Sequence, residues 1–183
     1  MASRINADSS NGLQLVSDSS GEIQFQSSGI TKATVNSNGL SSPGHVLQVV
    51  NAQTATGTAT NSTTTYADCL SASITPSSTS SKILVIGSTN WYIARAGTTN
   101  GYADIRLQLR RGSTELLFKR YAINFGTTTW NDFFGDWATN YLDSPSTTSA
   151  VTYTIAIRPQ DIAVNVYAPF QGIMTLQLLE VAG

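Results

Sequence analysis

Ile105-Arg106-Leu107-Gln108-Leu109-Arg110-Arg111-Gly112-Ser113-Thr114-Glu115-Leu116-Leu117-Phe118 is the stretch that decides the fold. From Ile105 to Arg110 apolar and polar side chains alternate with period two, the pattern of a strand with one face buried and one facing water or a neighbour. Arg111-Gly112-Ser113 then turns the chain into a second apolar run, so the segment is an antiparallel hairpin. Ile105, Leu107 and Leu109 point inward, and Arg106 and Arg110 point out.

The same rhythm extends on both sides. Tyr153/Ile155/Ile157 and Met174/Leu176/Leu178 alternate likewise, Val46-Leu47-Gln48-Val49-Val50 opens another strand, and Pro145, Pro159 and Pro169 break the intervals. Lys82-Ile83-Leu84-Val85-Ile86-Gly87 is a continuous apolar run, as expected of a strand buried on both faces. The Thr-rich stretch Thr54 to Thr65 suits a solvated edge strand with a loop. Composition agrees, because Ser and Thr supply 47 of 183 residues, charged types only 11%, and no long 3.6-period stripe appears. About eight strands, with turns roughly every 8–15 residues, predict an all-β chain whose body is an antiparallel β-sandwich or jelly roll.

Residues 1–45 have a separate pattern. Leu13-Gln14-Leu15, Ile23-Gln24-Phe25 and Ala33-Thr34-Val35 are short strand candidates punctuated by Gly12, Gly21, Gly29 and Gly39. Strands this short bury no face alone and need another surface or copies of themselves. The expected organisation is an N-terminal β arm or short shaft over 1–45, a hinge at Ser41-Ser42-Pro43-Gly44, and a body over 46–183.

Composition also bounds function. A net charge of −1, with no basic cluster beyond Arg110, Arg111, Lys119 and Arg120, argues against nucleic acid as a partner. Low net charge leaves little self-repulsion between copies and favours an oligomer. The lone Cys69 forms no internal bridge, which suits folding in a reducing cytosol. No secretory signal and no run of 18 apolar residues stand in the sequence, so neither export by that route nor membrane insertion is expected.

Chemistry has little to work with. His45 is the one histidine, beside the hinge, where a capping or packing role is favoured over a catalytic one. His45 and Cys69 together fall short of a zinc site, and no cofactor is expected. The stretch with most functional character is Trp130-Asn131-Asp132-Phe133-Phe134-Gly135-Asp136-Trp137, where aromatics and acids interleave. Trp130, Asp132, Asp136 and Trp137 are candidate glycan contacts, because aromatic faces stack on sugar rings and carboxylates accept hydroxyl hydrogen bonds. The same aromatics fit a core or a subunit interface. Two acids also suffice for glycoside hydrolysis, so a polysaccharide depolymerase is a third, weaker reading.

Gly21-Glu22-Ile23-Gln24-Phe25-Gln26-Ser27-Ser28-Gly29-Ile30-Thr31-Lys32-Ala33-Thr34-Val35-Asn36-Ser37-Asn38-Gly39 resembles the glycine-punctuated repeats of tail fibres and other virion surface proteins of tailed bacteriophages. Ser71 to Ile86, Leu109 to Thr114 and Tyr141 to Tyr153 resemble a β-sandwich module of phage structural proteins. The resemblance implies a homotrimer on the virion surface, assembled in the host cytoplasm, whose partners are itself and a major capsid or other virion protein. The expected role is a non-enzymatic capsid decoration or cement protein; the alternative is a tail-fibre tip that recognises host surface glycan. Leu13, Leu15, Ile23, Phe25 and Val35 are the expected shell-docking residues. Trp91, Tyr92, Trp130, Phe134 and Trp137 are the expected oligomer contacts.

Overall fold

The structure is a computed structural model that describes residues 19–37, 39–94, 101–125, 132–160 and 164–183. Every regular element among them is a strand, and every ladder is antiparallel. The chain divides into two compact units, Met1–His45 and Val46–Gly183.

The first unit holds a three-stranded sheet of β1 (Ile23–Ser27), β2 (Ile30–Asn36) and β3 (Gly39–Ser41) in that order. Ser28 and Gly29, at φ of 53° and 74°, make the two-residue turn between β1 and β2, since a turn matching strand twist needs positive φ at both central positions. Register sorts the side chains by polarity. Ile23, Val35 and Leu40 form one row and Phe25 with Ala33 the next, so the apolar residues share a face. Gln24, Gln26 and Thr31 hydrogen-bond one another on the opposite side.

The second unit is a sandwich of two sheets. Its strands are β4 (Val46–Thr54), β5 (Thr58–Thr60), β6 (Ala67–Ile74), β7 (Lys82–Ala94), β8 (Gly101–Arg111), β9 (Thr114–Phe125), β10 (Phe133–Asp143), β11 (Val151–Arg158), β12 (Asn165–Ala168) and β13 (Met174–Val181). One sheet runs β4-β13-β7-β12-β5 with β10 on the other side of β7, and the second runs β6-β11-β8-β9. The pairing is nested: β8 with β9, β7 with β10, β6 with β11, β5 with β12 and β4 with β13. The body is thus one long hairpin rolled up around the β8–β9 turn, where Gly112 takes φ of 54°.

Alternation fills the space between the sheets. Ile83, Val85, Trp91 and Ile93 from β7 and Leu176 and Leu178 from β13 belong to one buried cluster with Ile105, Leu107 and Leu109 of β8 and Tyr153, Ile155 and Ile157 of β11. The Lys82–Gly87 run is not buried on both faces: Ile83 and Val85 go inward, whereas Leu84 is half-buried and Ile86 is exposed on the outer face. Pleating sends neighbours to opposite sides whatever their polarity, and among the described residues no second layer of this unit covers that side.

On the outer face of the smaller sheet the arginines find acids. Arg106 forks onto Glu115 at 2.8 and 3.0 Å and lies 3.6 Å over the Phe118 ring. Arg110 reaches across β11 to fork onto Asp68 at 2.6 Å. These long side chains lie along the sheet, and Thr154 and Ala156 of the central strand β11 are buried in consequence.

Candidate functional site

The outer face of the six-stranded sheet has the character of a binding surface. Its side chains come from alternate residues of β10, β7, β13 and β4, so register gives their order. Leu142, Leu84, Leu179 and Val49 form one row across all four strands. Asn140, Ile86, Gln177 and Asn51 form the next, and Ala138, Ser88, Thr175 and Gln53 the third. None of these twelve outward positions is ionisable. Leu142 and Val49, 53% and 61% exposed, make the first row an open aliphatic band.

Beyond the third row the strands part, and the chemistry changes. Asp136 faces Asn90 across the β10–β7 ladder, and Phe134 faces Tyr92, which pairs in turn with Tyr167 of β12. Tyr92 is the hub of an aromatic cluster. Its ring stacks on Phe134 at 4.9 Å and on Phe170 at 4.3 Å, and it lies 5.4 Å from Tyr167. Asn90 holds the cluster from below: its carboxamide accepts from the Phe170 backbone N–H at 3.1 Å and donates to the Phe170 carbonyl. Gly172 is required beside it, because a Cβ there would fall 2.8 Å from the Asn90 amide nitrogen. Burial, the Asp132 carboxylate beside it and Tyr167 together push the Tyr92 phenol up to about 12, so it is a neutral hydrogen-bond donor at ordinary pH.

Between this cluster and the uncharged rows lies an open groove of about 330 Å³ lined by Ser88, Asn90, Asp136, Ala138 and Ile173, with Thr89 and Trp137 at its floor. Ser88 shares a 2.8 Å hydrogen bond with Thr175. Among the described residues no side chain donates a hydrogen bond to the Asp136 carboxylate, which stands exposed.

The expected site residues divide by side of the sheet. Tyr92, Phe134, Asp132 and Asp136 gather on or beside the outer face. Trp91 and Trp137 do not join them, being buried in the core at 5% and 4% exposure, which removes both from the expected oligomer contacts and Trp137 from the side chains that meet a ligand. The reason is the pleat, since Trp91 neighbours Tyr92 and Trp137 neighbours Asp136, and adjacent strand residues cannot share a face. Trp130, Leu13 and Leu15 lie outside the described residues. Ile23, Phe25 and Val35 share the apolar face of the three-stranded sheet, joined there by Leu40, a residue the sequence reading missed. Phe170, Tyr167 and Asn90 were missed too. His45 is exposed in a turn closed by its backbone N–H on Ser42. Burial pushes the Cys69 thiol up to about 12, leaving it a neutral packing group.

Neither a scan against protein-family models nor a search of curated proteins finds a match to this chain. The fold and the site define an all-β sandwich protein whose larger sheet has an outer face uncharged over twelve central positions and an aromatic edge.

Proposed function

We propose that this is a non-enzymatic structural protein of a tailed-phage virion, a trimeric decoration or cement protein that grips the capsid through its N-terminal arm. The observation that carries this reading is the two-faced sheet of the arm. Phe25 and Leu40, 44% and 55% exposed, stand on the same side as Ile23 and Val35, while the other side is a ladder of Gln and Thr. A sheet with one apolar face buries that face against another layer, and a shell of repeated subunits offers one. The apolar face docks on the major capsid protein at the virion surface, after assembly in the host cytoplasm.

The body supplies self-association. The twelve uncharged outward positions suit an interface core, where charged residues are depleted, with the aliphatic row of Leu142, Leu84, Leu179 and Val49 at its centre. Three copies is the number implied by the family resemblance. The nested pairing supports reading the sandwich as a jelly roll, an architecture used in viral capsid and lectin domains, which is an argument from fold alone.

Two variants test the reading. Deleting residues 2–40 abolishes binding to shells in co-sedimentation but leaves a folded oligomer. Val49→Lys with Leu142→Lys gives a monomer by analytical ultracentrifugation with an unchanged circular dichroism spectrum. A deleted chain that still decorates particles ends the arm assignment.

A further inference from the structure

We infer that the groove beside the aromatic cluster is a saccharide-binding site, selective for neutral or amino sugars over acidic ones. This goes beyond the structural role proposed above and stands on the groove and aromatic end of that face, away from its aliphatic row. Phe134 is 62% exposed although one face of its ring rests on Tyr92, so its remaining surface is open to a ligand. A flat apolar face offered to solvent, backed by other rings and fixed by the Asn90–Phe170 contacts, is what the C–H face of a pyranose packs against. Asp136 follows two residues later on the same side of β10, roughly 7 Å along the strand, within the reach of one sugar ring.

The polar groups complete the match. Sugar hydroxyls need acceptors and donors side by side, and the groove offers the Asp136 carboxylate and the Ser88 hydroxyl. Asn90 spends its carboxamide on the Phe170 backbone and acts as a positioning residue. Its volume of about 330 Å³ lies at the small end of the ~300–1,000 Å³ range of ligand sites. A lipid is disfavoured by Ser88, Asn90 and Asp136 along the groove. Phosphates, sulfates and uronic acids are disfavoured by charge: among the described residues no Lys or Arg lines the groove, and Asp136 there, with Asp132 beside Tyr92, would repel them. An amino sugar gains where an acidic one loses, because its ammonium meets those same carboxylates.

The test uses the full chain in saturation-transfer NMR and calorimetry. The probes are methyl glycosides and short oligomers of glucose, galactose, mannose, rhamnose, N-acetylglucosamine, N-acetylgalactosamine and glucosamine, with galacturonate oligomers as the acidic comparison. At least one neutral or amino probe binds saturably, and the galacturonates bind at least about tenfold more weakly. Phe134→Ala and Asp136→Asn each weaken the best probe about fivefold or more, and Phe134→Trp restores it. Val49→Lys, at the far end of the same face, leaves sugar affinity unchanged while breaking self-association, which separates this inference from the oligomer reading. No binding by any neutral or amino probe, preference for galacturonate, or equal affinity in Phe134→Ala overturns the site.

Discussion

Glu180 is fully buried at the end of β13, and its carboxylate ties three segments together. It accepts from Gln48 Nε2 at 2.6 Å and from the backbone N–H and hydroxyl of Ser77 at 2.7 and 2.6 Å, linking β13 to β4 and to the segment before β7. Burial alone pushes such a carboxyl up, but the hydrogen bonds from Gln48 and Ser77 outweigh it and hold it below its ordinary value of 4.5. A carboxylate depressed in the folded state adds stability that is complete above the unfolded value and is lost as pH falls through the folded one. Stability measured by urea denaturation therefore falls from about pH 5 downward, and in Glu180→Gln this component of the slope is absent. At neutral pH the variant is less stable by roughly 1–3 kcal/mol, because its amide turns a donor toward donors. A variant with the parent's acid slope would count against this account.

At the scale of the element, β10 against β7 is the ladder that builds the site, and one glycine sets its depth. Gly135 pairs with Trp91, whose indole lies over the place a Cβ would occupy. Gly135→Ala consequently expels the indole and lowers stability by about 1–3 kcal/mol, read as a shift in urea midpoint with an unchanged slope. It also moves Phe134 and Asp136, one residue away on either side. Much of this architecture was legible from the sequence: the Ile105–Phe118 hairpin and the Tyr153 and Met174 strands show because their polar and apolar residues alternate. Leu84 and Ile86 were misplaced for the converse reason, since an apolar residue on an uncovered face looks the same in sequence as one in a core. Trp91 and Tyr92 follow the same logic, being both aromatic and adjacent. Asn90 with Phe170 was beyond sequence reading, since a contact across 80 positions leaves no local pattern.

For the whole molecule, the division at His45 and Val46 separates a sheet with an open apolar face from a body with its own core. A chain of residues 46–183 accordingly folds alone, with a urea midpoint matching the body transition of the full protein and a higher solubility, because Phe25, Ile30 and Leu40 are gone. Loss of cooperative unfolding in that fragment would show that the arm is part of the body's stability. The rolled-up pairing carries a consequence for synthesis. The strand that fills the slot between β4 and β7 is Met174–Val181, which is synthesised after every other described strand of the body. Until it emerges, two backbone edges in the middle of the larger sheet stand unsatisfied, and a nascent or prematurely terminated chain can accept β13 of a neighbour instead of its own.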